Sequence, residues 1–309
     1  MKSNKLTLGV FASADAGKTT LSENILFNSG VIRRIGHVDE GDSFLDSDSM
    51  EKERGISIFS KEARFSVDDM DVVLIDTPGH IDFAAEAERT LNILDAAILI
   101  ISSDGINKRT RQIWSKLDRY SIPRLIFVNK CDLASFDRER IEAQLHRISS
   151  ATFDVTNLQK IDDDLCEKIA FSSDLALDIF EQSSDFSKSD IKMLINRAAL
   201  FPCLYGSALK GDGVKELIKS LSYFDKQREY DDDFSCFVYK ITRDKSGSRL
   251  SHVKITGGSI SGLDMRRIAY EGFLPKKKGR QTLLNLLVER KNSKLSETMI
   301  IYESVHRIE

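Results

Sequence analysis

Cysteine is scarce in this chain: Cys131, Cys166, Cys203 and Cys236 lie far apart, with no C-x-x-C pair among them. Isolated thiols of this kind fit a reducing cytoplasm and argue against a zinc site or a disulfide framework. Long apolar runs are missing as well. No stretch approaches the roughly 20 apolar residues that a membrane-spanning helix needs. The start, Met1-Lys2-Ser3-Asn4-Lys5, runs straight into a strand-like segment without a signal-peptide core. The expectation is therefore a cytoplasmic protein with no membrane partner. Internal repeats are absent too.

A strong charge of one sign is also lacking, since the net value is −3. That figure conceals an asymmetry. Residues 234–309 carry 15 Lys/Arg against 7 Asp/Glu (+8), and residues 1–233 carry 30 against 41 (−11). A basic second part suits contact with RNA or a ribosome, although an unevenly charged, solvated surface accounts for the same counts.

What is present is a repeated alternation. Apolar, β-rich runs at Leu6–Ala12, Val72–Ile75, Ala97–Ile101, Leu125–Val128 and Cys203–Tyr205 are separated by helical patterns at Thr20–Asn28, Phe83–Leu94, Lys108–Tyr120, Arg138–Ser149 and Val214–Phe224. Buried strands alternating with helices predict an α/β fold, a mostly parallel sheet with helices on both faces. Residues 30–60 read as a polar loop. Residues of about 150–200 hold extra helical material, Asp174–Gln182 and Ser189–Ala199, and read as an insertion. We divide the chain into a first domain at 1–225, a charged linker at 226–233 and a second domain at 234–309. In the last, Phe234–Thr242 and Leu250–Ile255 open a small β-barrel. Its tail is atypical, with a helix-like stretch at Gln281–Arg290.

Three short motifs carry chemistry. Asp15-Ala16-Gly17-Lys18-Thr19-Thr20 lies between the first strand and the first helix. Such a loop cradles phosphate with successive N–H groups and the positive helix end; Lys18 reaches the β/γ-phosphates and the Thr19 hydroxyl ligates Mg²⁺. The first glycine of G-x-x-x-x-G-K-[ST] is replaced by Ala12. Asp76-Thr77-Pro78-Gly79-His80 ends the second apolar run. Asp76 can hold Mg²⁺ through water, Gly79 lets backbone approach a γ-phosphate, and His80 projects toward an attacking water. Asn129-Lys130-Cys131-Asp132 ends the fourth run, where the Asp132 carboxylate can accept two hydrogen bonds from guanine N1 and N2. Adenine has no such pair of donors. Asn129 can bond the base edge and its neighbours, and the Lys130 stem can cover the ring. Gly206-Ser207-Ala208 can present N–H groups to guanine O6. Arg54-Gly55-Ile56-Ser57-Ile58 reads either as a hydroxyl completing the Mg²⁺ shell or as an ordinary glycine turn.

Together these five elements resemble the translational GTPases, most closely the elongation factor G group and its tetracycline-resistance ribosomal protection relatives. The segment from Ala12 to Thr20 is similar to the group's A-H-V-D-A-G-K-T-T, and Glu51–Ile58 and Asp76–His80 are similar to its two switches. The resemblance implies a P-loop GTPase domain followed by a β-barrel. It further implies Mg-dependent hydrolysis of GTP to GDP and phosphate, coupled to the ribosome through ribosomal RNA and factor-binding proteins, by a monomer. In that scheme Thr19 and Ser57 ligate Mg²⁺, and Asp76 does so through water. Lys18 and Thr20 hold phosphates, Asp15 sits near the bridging oxygen, and His80 orients water. The alternative is a truncated GTP-binding module with little turnover that occupies the ribosomal factor site.

Departures from the family pattern matter. Ser13 and Ala14 stand where the family has His and an apolar residue that gates the catalytic histidine, so a looser gate and some ribosome-independent hydrolysis are expected. Ser57 replaces Thr. Family members are also much longer, and the stretch from about Arg266 does not read as barrel strands, which suggests a truncated form.

Overall fold

The computed structural model describes residues 4–34, 61–76, 90–156, 158, 161–224, 235–243, 249–257, 268–273 and 298–302. Contacts divide the chain into two compact units, Met1–Arg228 with Tyr239–His252, and Glu229–Val238 with Val253–Glu309.

The first unit is built on a seven-stranded sheet. Its strands are β1 (Asn4–Ala12), β2 (Lys61–Val67), β3 (Met70–Asp76), β4 (Ala96–Ser102), β5 (Arg124–Asn129), β6 (Thr152–Asp154) and β7 (Phe201–Tyr205). They run in the order β2-β3-β1-β4-β5-β7-β6. All neighbours are parallel except β2, which pairs antiparallel with β3. All seven residues of β4 and all six of β5 are buried, as expected of strands covered on both sides.

Strand side chains alternate between faces, and the core splits accordingly. Leu8, Val10, Ile98 and Ile100 join one apolar cluster with Leu21 and Ile25 of α1 (Lys18–Asn28) and Leu217 of α7 (Val214–Ser220). Phe11, Leu99 and Ile101 join the other, with Trp114 and Leu117 of α2 (Lys108–Arg119) and Ile141 and Leu145 of α3 (Arg138–Ile148). The inserted segment supplies α4 (Asp163–Ala170), α5 (Asp174–Ser183) and α6 (Lys188–Asn196). Each opens on a side-chain cap, from Asp162, Ser173 and Ser187 respectively, the last a full capping box with Asp190. These caps make short helices self-starting.

The expected helix at Val214–Phe224 stops at Ser220 and tightens into a 3₁₀ turn, Leu221–Phe224. Further along, β8 (Ser235–Arg243) and β9 (Arg249–Gly257) form a two-stranded sheet, and β10 (Ile268–Phe273) pairs in parallel with β11 (Thr298–Tyr302). Beyond Arg266 the described residues thus hold one parallel strand pair. The helix-like stretch Gln281–Arg290, residues 83–89 of the expected helix Phe83–Leu94 and residues 35–60 of the polar loop read at 30–60 lie outside the described residues.

Candidate nucleotide-binding site

Parallel α/β sheets bind ligands at the carboxyl ends of their strands, where neighbouring connections part to opposite sides. Here that point is the end of β1, flanked by β3 on one side and β4 on the other. Ser13–Gly17 turn the chain from β1 into α1. Ser13 is buried, whereas Ala14 and Asp15 are exposed, and Asp15 sits in the left-handed region at φ 58°. Gly17 precedes the helix at φ 91° and, as glycine, offers no side-chain cap to the first turn, which contains Lys18, Thr19 and Thr20. A methyl group on Gly17 would lie 2.3 Å from Asn129 Nδ2. Both the dihedral and the space require glycine.

The register sets Val10 beside Asp76, so β1 and β3 end level. The Lys18 ammonium then reaches Asp76 Oδ2 at 2.7 Å, with the carboxylate 1% exposed. This places a cation and a carboxylate beside the loop between β1 and α1.

At the other end of the site, Asn129 closes β5 and is itself buried. Its Nδ2 donates to Ala16 O at 2.8 Å, and its Oδ1 accepts from the Ala208 N–H at 2.7 Å. One amide thus ties the phosphate loop to the loop after β7. Lys130 turns at φ 64°, and the Cys131 N–H donates to Gly206 O at 3.0 Å. Asp132 stands at the rim, with Lys210 Nζ 3.6 Å from its Oδ2. A hydrogen bond from Ser207 chiefly, helped by Lys210, holds the Asp132 carboxyl below the usual carboxylate range, so it is charged at neutral pH. A Cβ on Gly206 would meet Asp212 O at 2.2 Å, because Ser207 and Asp212 exchange two backbone bonds of 3.1 and 3.0 Å across that turn.

The structure therefore gathers Asp15, Ala16, Gly17, Lys18, Thr19, Thr20, Asp76, Asn129, Lys130, Asp132, Ser207 and Ala208 at one edge of the sheet. Ser57, Gly79 and His80 lie outside the described residues. The N–H groups of Ser207 and Ala208, expected to meet a base, are engaged inside the protein, by Asp212 O and Asn129 Oδ1. Both residues are buried, and buried N–H groups must be paired. Sequence reasoning missed Asn24 of α1, whose Nδ2 donates to Ala208 O at 2.6 Å. A lone asparagine inside a helical pattern gives no signal of a partner 184 residues away.

Comparison with known proteins agrees with this geometry. Residues 3–226 match the Elongation factor Tu GTP binding domain. The chain belongs to that family of GTPases. As a GTP-binding domain of this family it is 32% identical to tetracycline resistance protein TetP of Clostridium perfringens, across 96% of this chain and 49% of that protein. It is 32% identical to TetO of Campylobacter jejuni (85% and 44%) and 30% identical to the oxytetracycline resistance protein of Streptomyces rimosus (92% and 47%). The chain thus spans about half the length of the curated relatives it matches. The solved structure of ttk003000868 from Thermus thermophilus superimposes with a TM-score of 0.70 at 19% identity, covering 82% of this chain and 45% of that one, a likeness of fold. No described helix is long and apolar enough to cross a membrane.

Proposed function

We propose that the protein binds GTP with Mg²⁺ and hydrolyses it to GDP and phosphate in contact with the ribosome, as a cytoplasmic monomer. The observation that carries the reading is the double hydrogen bond of Asn129. It draws the phosphate loop, through Ala16, and the loop at Ala208 onto the strand end that bears Asp132. Phosphate and base recognition thereby share one rigid frame. The ionised Asp132 accepts from guanine N1 and N2, and an adenine, with no donor at either position, leaves that carboxylate unpaired. A site built this way rejects the wrong base by orders of magnitude.

At the phosphate end, the N–H groups of the first turn of α1 and the Lys18 ammonium neutralise the anion. The donors near them, the Thr19 hydroxyl and the buried Asp76 carboxylate, are all oxygen, the set a hard cation takes, and so fit Mg²⁺. Thr19 and Ser57 would hold the ion directly and Asp76 through water, and the ion would supply positive charge to offset that of the phosphates. Lys18, now on Asp76, turns to the phosphates in that arrangement. His80 orients the water, with Gly79 admitting the γ-phosphate. Since phosphoryl transfer depends on positioning and charge neutralisation, these groups suffice for catalysis.

The division into a GTP-binding domain at 1–225, a linker at 226–233 and a barrel-like second domain at 234–309 belongs to this proposal. So does the ribosome as partner, supported by relatives named for tetracycline resistance and by the basic second part. The test is phosphate release from GTP with and without ribosomes. Stimulation is expected. GTP binding without turnover in either condition would instead favour a module that occupies the factor site.

A further inference from the structure

Among the described residues, Asn24 is a buried polar side chain of α1 that the proposed chemistry leaves unused. It is 3% exposed and faces the base loop rather than the phosphates. Its Nδ2 donates to Ala208 O at 2.6 Å, and Asn28 Nδ2 donates to Asn24 Oδ1 at 3.2 Å and to Asn24 O at 2.9 Å. The amide is thus held in one orientation, since a carbonyl can only accept and the Asn28 amide nitrogen can only donate. On the other side of Ala208, the N–H is fixed by Asn129 Oδ1 at 2.7 Å.

Residue 208 is therefore clamped from both sides, each clamp acting on a different peptide plane. Asn129 fixes the Ser207–Ala208 plane, and Asn24 fixes the Ala208–Leu209 plane. A trans peptide points its C=O and N–H in opposite directions, and the chain has no cis bond among the described residues. Drawing Ala208 O toward α1 consequently turns the Leu209 N–H away from α1. Leu209 is 68% exposed, and its neighbour Lys210 reaches the rim where Asp132 stands, 3.6 Å from its Oδ2.

We propose that Asn24 is a positioning residue for guanine: by holding Ala208 O it aims the Leu209 N–H at the base O6, the contact that the engaged N–H groups of Ser207 and Ala208 do not supply. The inference rests on the GTP-binding reading above. It makes the helix that carries Lys18 and Thr19 also the support of the base loop, through a bond that α1 donates directly.

The test compares the full chain with Asn24→Asp, which keeps the shape and loses the donor, against two ligands. One is GDP; the other is 2-aminopurine riboside 5′-diphosphate, which retains the 2-amino group but lacks O6 and the N1–H, so that each ligand is compared only with itself between wild type and variant. The variant is expected to bind GDP about tenfold more weakly, the worth of one aimed hydrogen bond. The analogue should change less than about threefold, because nothing in it meets the Leu209 N–H. An equal loss for both ligands, or an unchanged GDP affinity, overturns the proposal. Should Asn24→Asp fail to fold, Asn24→Ser, which keeps a hydroxyl donor on a shorter stem, is expected to show a smaller loss confined to GDP. A loss shared by both ligands counts against it. Wild-type protein that binds neither nucleotide would overturn the GTP-binding reading itself, an outcome separate from any effect of the variants.

Discussion

Gly17→Ala tests how tightly the phosphate loop is fitted to Asn129. The residue adopts φ 91°, and an added Cβ would stand 2.3 Å from Asn129 Nδ2. Holding an L side chain in the left-handed region costs about 1 kcal/mol. The clash also pushes the amide away from Ala16 O and the Ala208 N–H, two bonds worth about 1 kcal/mol each. The total of about 3 kcal/mol corresponds to a fall in Tm of about 6–12 °C for a domain of this size. Part of that cost belongs to the pair rather than to Gly17 alone. In an Asn129→Ala background the clash and both bonds are already gone, so the same substitution should cost only about 1 kcal/mol. Thermal unfolding of the four proteins in that cycle provides the measurement. Equal costs in both backgrounds would refute the reasoning, because the strain would then be purely local to Gly17.

Other predictions follow from the same geometry. Asp132→Asn should exchange guanine for xanthine preference, since an amide can donate to the xanthine O2 that a carboxylate repels; competition between GDP and XDP reads this directly. The folded-state pKa of Asp132 is depressed, so its contribution is present above the ordinary carboxylate range and is lost only as pH falls through the lowered value. The ratio of GDP to IDP affinity, in which phosphate titration cancels, should therefore stay level from pH 8 to about 5, above the usual Asp value. Ala14→Val should lower phosphate release measured without ribosomes, and an unchanged basal rate would count against a loosened gate. Arg124 is wholly buried between the rings of Trp114 and Phe201, at 4.3 and 4.4 Å, and ion-paired to Asp118. Arg124→Ala should destabilise the domain by about 3 kcal/mol or more through lost packing and pairing, while leaving the GDP affinity of the folded protein unchanged.

The sheet was legible where burial on both faces produces unbroken apolar runs, as in Ala97–Ile101 and Leu125–Val128. Each predicted run lies inside an observed strand. Two strands were not legible. In β2 the buried Ala63 and Phe65 alternate with exposed Arg64 and Ser66, the weak pattern of an edge strand. In β6 three residues are too few to show a period. Helix α4 was missed because its eight residues are mostly charged at the start, where Asp163 and Asp164 follow the Asp162 cap. Within the site, Lys18, Asp76, Asn129 and Asp132 could be named because their spacing along the chain follows from strand and loop order. The bonds that organise them could not. Asn129 to Ala16 and Asn24 to Ala208 join residues 113 and 184 positions apart, and the second uses a helix residue that any polar side chain would match in pattern. Arg124 is similar: a charge just ahead of the apolar run Leu125–Val128 reads as its boundary until Asp118, Trp114 and Phe201 close around it.

The central claim, a phosphate loop and a guanine-reading carboxylate held in one frame, is tested most directly by calorimetric titration of the purified chain with GDP and with ADP in the presence of Mg²⁺. One GDP site per chain is expected, with ADP binding weaker by at least about a hundredfold, because adenine offers Asp132 neither of the two donors. Equal affinity for the two nucleotides would contradict it.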